Sequence, residues 1–72
     1  MIDLSSLKVL TVNPGSVVPY DMGSDTPWKY TIIVSMPDSQ RTYYSEERFS
    51  RATDAEQAMR EEVHRLKRVH YV

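Results

Sequence analysis

Trp28 to Met36 alternate in character residue by residue. Trp28, Tyr30, Ile32, Val34 and Met36 fall on one side, and Lys29, Thr31, Ile33 and Ser35 on the other. Successive side chains of an extended chain point to opposite sides, so a period of two marks a strand with one face in a core. Pro37-Asp38-Ser39 then reads as a turn, with proline supplying the fixed φ of its first central position. Arg41 to Glu46, rich in Thr42, Tyr43 and Tyr44, supplies the partner strand. A β-hairpin over about residues 28–46 is the first fixed point of the fold.

The second fixed point is a C-terminal helix over about 53–69. Ala55, Ala58, Met59, Val63 and Leu66, with His70 as a further candidate, recur at three- and four-residue spacing and draw one apolar stripe. Thr53-Asp54-Ala55-Glu56 has the pattern of a capping box, and neither Gly nor Pro follows position 37. Glu56 with Arg60 and Glu61 with Arg65 are acid-before-base pairs at i,i+4. An amphipathic helix and a half-apolar hairpin bury their faces against each other, with Phe49 placed to plug the seam.

Upstream, Leu7 to Val12 is apolar and β-branched enough for a strand, which Asn13-Pro14-Gly15 should end. Ser16 to Tyr20 is a candidate return strand that Pro19 would confine to an edge. Asp21 to Pro27 collects turn formers and is expected as a flexible loop. The expected fold is therefore α+β: a small antiparallel sheet of about three strands covered by one C-terminal helix, in β-β-β-α order, with residues 1–72 as a single domain.

Size limits what such a chain can do. A domain of 72 residues buries only about 60% of its unfolded surface and yields roughly 3–5 kcal/mol from one core. There is no Cys, so no disulfide staples the fold and no thiolate holds a metal. Met1 to Leu10 lacks a basic segment followed by an apolar run. The longest aliphatic run, Ile32-Ile33-Val34, falls far short of the ~20 residues of a membrane span. These features lead to the expectation of a cytoplasmic protein with no membrane partner. Formal net charge is -1, which gives no global pull toward phosphate, although Arg60, Arg65, Lys67 and Arg68 crowd the C-terminal end.

Catalytic constellations are not evident. His64 and His70 stand six residues apart on one helix and turn through about 600°, so their rings diverge. No metal-ligand motif, nucleophile motif or glycine-rich phosphate loop occurs, and Gly15 and Gly23 are the only glycines. Glu46-Glu47 and Glu61-Glu62 are carboxylate pairs, but adjacent residues do not face one point on a strand or helix. The expectation is a non-enzyme without cofactor, metal or catalytic residues.

The aromatics are Tyr20, Trp28, Tyr30, Tyr43, Tyr44, Phe49 and Tyr71. Alternation sends Tyr43 and Tyr44 to opposite faces, so at least one faces away from the helix or sits at an edge. Such tyrosines also serve simply to widen a small core with their hydroxyls in water. Tyr and Arg are enriched at interface hot spots, and Tyr20, Ile33 and one of Tyr43 or Tyr44 suggest a sticky outer sheet face. Lys29, Arg41, Arg65, Lys67 and Arg68 complete the candidate partner-binding set; the basic helix end also complements its own dipole.

From Trp28 to Leu66, the run Trp28-Lys29-Tyr30, Pro37-Asp38, Arg41, and Phe49 followed by Ala55-Glu56-Gln57-Ala58 resembles the arm-type DNA-binding domain of phage tyrosine recombinases. Arg48 stands where that family usually carries Gly. The resemblance is one of fold. It implies a sheet laid into the major groove, with Lys29, Thr31 and Arg41 toward DNA. In size and style the chain also resembles small accessory proteins of bacteria and their phages, which include inhibitors of host defence complexes such as anti-CRISPR proteins. The leading reading is a non-catalytic protein that occupies a surface of a partner, most readily a protein. The alternatives are a DNA-binding accessory domain and self-association of two copies through an edge strand.

Overall fold

The computed structural model describes residues 4–70. Tyr71, and the Met1–Asp3 part of the N-terminal stretch tested for a leader, lie outside the described residues. The alternating segment forms the central strand. A three-stranded antiparallel sheet runs β1 (Thr11–Pro19), β2 (Trp28–Met36), β3 (Ser39–Tyr44), in that spatial order, followed by helix α1 (Ala52–His70). The α+β, β-β-β-α architecture is the one the patterns predict. Tyr30, Ile32 and Val34 project into the core, with Val12 from β1 and Ala55, Met59, Val63 and Leu66 from α1. The helix lies chiefly over β1 and β2, so the β3 margin is the less covered side of that face.

The hairpin register pairs Met36 with Ser39, Ile32 with Tyr43 and Thr31 with Tyr44. Strand β3 thus starts directly after Pro37-Asp38, earlier than the residue pattern suggests, and ends at Tyr44 rather than Glu46. Ser45 explains the ending. It is buried, its N–H donates to the Tyr30 carbonyl at 2.9 Å, its hydroxyl oxygen accepts from the Tyr30 N–H at 3.2 Å, and that hydroxyl donates to the Glu47 carbonyl at 2.7 Å. A side chain here replaces one rung of the ladder, and the chain swings out through Glu46–Arg48. It returns at Phe49, which exchanges two backbone hydrogen bonds with Trp28 (2.8 and 3.0 Å). The Phe49 ring then lies 6.0 Å from that of Tyr30, plugging the seam as expected.

The N-terminal half departs from the simple pattern. Asn13-Pro14-Gly15 does not end a strand; β1 runs straight through it, and Ser16 to Pro19 is the second half of the same strand. Leu7 to Leu10 is not strand, although the Leu10 N–H donates to the Ser35 carbonyl at 2.8 Å. Pairing skips from Pro14–Ile32 to Val17–Tyr30, leaving Gly15 and Ser16 opposite the single residue Thr31. This is a β-bulge, and it sits on an edge strand, where proline's missing N–H can face away from the ladder. The Thr31 hydroxyl accepts from the Ser16 N–H at 2.8 Å and donates to the Ser16 carbonyl at 3.1 Å. One buried side chain therefore satisfies both backbone groups that the bulge takes out of register. Gly15 is required by proximity, not by an unusual φ: a Cβ there would stand 2.2 Å from Thr31 Oγ1 and 2.8 Å from its carbonyl oxygen.

Asp21 to Pro27, expected to be flexible, is laced by local bonds. The Tyr20 and Asp21 N–H groups share the Pro27 carbonyl (2.7 and 3.3 Å), Gly23 N–H donates to Asp21 Oδ1 at 3.2 Å, and Thr26 N–H donates to Ser24 Oγ at 3.2 Å. Asx-type closure of this sort is what Asp and Ser do in turns. The helix begins at Ala52, with the Ala55 N–H bonded to the Arg51 carbonyl at 3.2 Å. Thr53 is consequently inside the first turn and past the cap position that the capping-box pattern assigned it. Glu56 and Arg60 pair at 2.8 Å as expected, but Arg65 takes Glu62 (2.6 and 3.2 Å) in place of Glu61, which instead accepts from Gln57 at 3.5 Å. Among the described residues no helix is long and apolar enough to cross a membrane.

Candidate functional site

With α1 on one face of the sheet, the other face is uncovered by any described element. Cross-strand partners share a face, so the register assigns its members. Thr31 and Tyr44 lie opposite each other on it, as do Ile33 and Thr42 on one side and Ile33 and Asn13 on the other. Tyr44 is 57% exposed and Ile33 half-buried. Lys29 closes one end of the face, its Nζ standing 4.1 Å over the ring of the exposed Tyr20. This cation–π contact sets the Tyr20 ring beside the sheet despite its place outside β1.

The nine candidate binding residues therefore separate into three groups. Tyr20, Lys29, Ile33 and Tyr44 come together on the outer face. Tyr43, opposite Ile32, packs half-buried against the core, and Arg41, opposite Val34, belongs to the same inner side while remaining exposed. Arg65, Lys67 and Arg68 are on the helix, with Arg65 bonded to Glu62. The recombinase resemblance asked Lys29, Thr31 and Arg41 to face one ligand. The register puts Lys29 and Arg41 on opposite faces, and the Thr31 hydroxyl is occupied by Ser16.

The helix divides its charge between two flanks. On the β1 side, Arg60, His64 and Lys67 line a shallow surface with Pro14 and Val63. On the β3 side, Glu61, Glu62 and Arg65 face Glu46 and Glu47 across a groove whose floor is Tyr30. Two carboxylate pairs, each unable to converge on its own element, are thus brought face to face by the packing of the post-β3 link against the helix. Residue patterns could not reveal this, because the pairs are separated by a bend that Ser45 and Phe49 determine. Among the described residues, no three of His, Cys, Asp or Glu are placed to hold a metal ion.

Burial pushes the Tyr30 phenol up from 10.0 to about 12, with Glu62 and Glu47 adding to the rise, Arg65 opposing it and Glu46 contributing last. A phenol that ionises near 10.0 unfolded but near 12 folded leaves the native state holding an extra proton between these values. Stability should then fall as pH rises from 10 to 12 and level off above, by up to ~2 kcal/mol for a shift of this size. Alkaline denaturation of Tyr30→Phe should lack that decline; an unchanged alkaline slope in the variant would contradict the assignment.

Comparison of the chain with protein-family models, curated proteins and solved structures finds no significant match.

Proposed function

We propose that this chain is a small non-catalytic binding protein that works by covering a surface of a protein partner with the outer face of its sheet. The observation that supports the reading is the uncovered face itself, on which the exposed Tyr44 and Tyr20 flank Ile33 and Lys29. Aromatic rings on a rigid sheet give large contact area at small entropic cost, and a hydroxyl at the rim tolerates water when the partner is absent. A cytoplasmic inhibitor or regulator of a larger complex, of the kind that phages and bacteria encode against one another, anti-CRISPR proteins included, is the role proposed. Steric occupation of a surface requires no catalytic group and little pocket volume.

The test is capture from bacterial lysate with the tagged protein, with and without nuclease and at low and high salt. A discrete protein retained through nuclease and salt is the expected result. Tyr20→Ala with Tyr44→Ala should then reduce its capture by about tenfold or more, each truncated anchor costing ~1–2 kcal/mol, while the circular dichroism spectrum stays unchanged. Undiminished capture by the double variant sinks the outer-face assignment. Recovery that disappears with nuclease and falls steeply with salt would instead favour nucleic acid, bound on the Arg60–His64–Lys67 flank of the helix.

A further inference from the structure

The two edges of the sheet are not equivalent. β1 presents Pro14, Pro19 and the bulge at Gly15 and Ser16, all of which spoil an edge for further pairing. β3 has none of these devices. Ser39–Tyr44 contains neither Pro nor Gly, and its pairing with β2 runs unbroken from Met36–Ser39 to Thr31–Tyr44. The helix lies chiefly over β1 and β2 and leaves this margin open. Backbone groups along a strand point alternately to its two sides. The Ser45 N–H donates to the Tyr30 carbonyl, so Tyr43 and Arg41 also turn their N–H and C=O groups toward β2. Those of Gln40, Thr42 and Tyr44 then point out from the free edge, and all three residues are exposed.

We propose that this edge pairs antiparallel with β3 of a second copy, about a two-fold axis at Thr42. In that register Thr42 meets its own symmetry mate and Gln40 meets the second copy's Tyr44, each pair exchanging both its hydrogen bonds. On the inner face Arg41 comes opposite the second copy's Tyr43. Theirs is a non-hydrogen-bonded pair, in which side chains approach more closely, and it sets a guanidinium beside an aromatic ring. Arg41 is the one charged residue of β3, and it makes no hydrogen bond or ion pair among the described residues. Self-pairing supplies that missing contact twice, once on each side of the axis. Sliding the strands by one residue in one direction puts Arg41 against Arg41, and like charges directly opposite are destabilising. Sliding them the other way carries the second strand past Ser45, where the ladder ends in a bend. Charge and strand length thus select the same register. The axis stands perpendicular to the sheet, so both helices fall on one side and the two outer faces merge into one surface. The pairing does not rest on the binding reading above, since a monomer presents the same outer face.

The experiment is sedimentation velocity from micromolar to millimolar protein, with backbone amide exchange followed by NMR at both ends of the range. A monomer–dimer equilibrium driven by concentration is expected. The amides of Gln40, Thr42 and Tyr44 should exchange about tenfold more slowly in the dimer, whereas those of Arg41 and Tyr43, bonded to β2 in either state, should change little. Thr42→Lys places like charges across the axis on an exposed position and should weaken dimerisation by about fivefold. Thr42→Pro deletes the outward N–H there and should weaken it by about tenfold or more. Circular dichroism checks that both variants fold, and Thr42→Lys decides alone if the proline variant does not. A monomer throughout the range, a dimer that leaves those three amides unprotected, or a Thr42→Lys protein that dimerises like wild type would overturn the proposal. Protection of the same amides only when a captured protein is bound would also overturn it, and would give the edge to a partner's strand. A monomer whose lysate capture through Tyr20 and Tyr44 is intact would remove the self-pairing and leave the outer-face reading standing.

Discussion

Gly15→Ala should destabilise the domain by about 2–4 kcal/mol, while Gly23→Ala should leave it unchanged or stabilise it by about 0.4–1 kcal/mol. The opposite signs follow from what each new methyl would meet. At Gly15 it would stand 2.2 Å from Thr31 Oγ1, 2.8 Å from the Thr31 carbonyl oxygen and 3.0 Å from its carbonyl carbon. Rotating the threonine removes only the first of these clashes, and that rotation breaks both hydrogen bonds to Ser16. Overpacking at ~1–3 kcal/mol and hydrogen bonds at ~1 kcal/mol each combine to the stated range. At Gly23 the methyl would come no closer than 3.6 Å to Asp21 Oδ1, an ordinary contact, and the backbone is not left-handed. Alanine there only restricts the unfolded chain. In a domain whose total stability is roughly 3–5 kcal/mol, the first substitution should move the urea midpoint close to zero. A Gly15→Ala midpoint within error of wild type would mean that the bulge slides freely and that Thr31 does not pin it.

Leu4→Ala should cost about 2–4 kcal/mol, although Leu10→Ala, six positions along in the same irregular segment, should cost no more than ~0.5 kcal/mol. Leu4 is 1% exposed and belongs to the same core cluster as Ile32, Val34 and Leu66, whereas Leu10 is 53% exposed. The segment is held down by the Leu7 N–H bonded to the Leu4 carbonyl at 3.0 Å, and Leu7 and Val9 pack beside it. Truncating a fully buried leucine removes its transfer free energy and leaves a cavity that a small core closes only in part. Thermal unfolding of the two variants side by side checks the contrast. Equal midpoints would show that the N-terminal segment lies on the core without contributing to it.

Some of this was legible in the residues and some was not. The Trp28–Met36 alternation and the stripe of Ala55, Met59, Val63 and Leu66 announce the hairpin and the helix because each pattern is local: its period is the period of the backbone that carries it. The same locality misleads at Asn13-Pro14-Gly15. Taken alone, the triplet is a turn, and only the presence of Thr31 across the sheet makes it a bulge in a continuous strand. Thr53 and Glu56 carry a capping pattern, but the return of Phe49 to Trp28 fixes where the chain can start to coil, and it starts at Ala52. Arg65 bonds Glu62 and not Glu61 for the same kind of reason, since packing makes Glu62 the more shielded partner.

The sequence by itself determined the fold class, the central strand and its two faces, the helix and its buried stripe, and the division of Tyr43 from Tyr44. These depend on dihedral periodicity and on burial of apolar surface, which act over a few residues. The tertiary structure alone decided which sheet face stays uncovered, that Tyr20 folds over Lys29 to join it, that Arg41 leaves it, and that Glu46, Glu47, Glu61 and Glu62 meet above Tyr30. Each of those outcomes depends on a register or a bend set by contacts between residues far apart in the chain, such as Ser16 with Thr31 and Tyr30 with Ser45. No local pattern encodes the partner of such a contact, because its free energy exists only once both elements are in place.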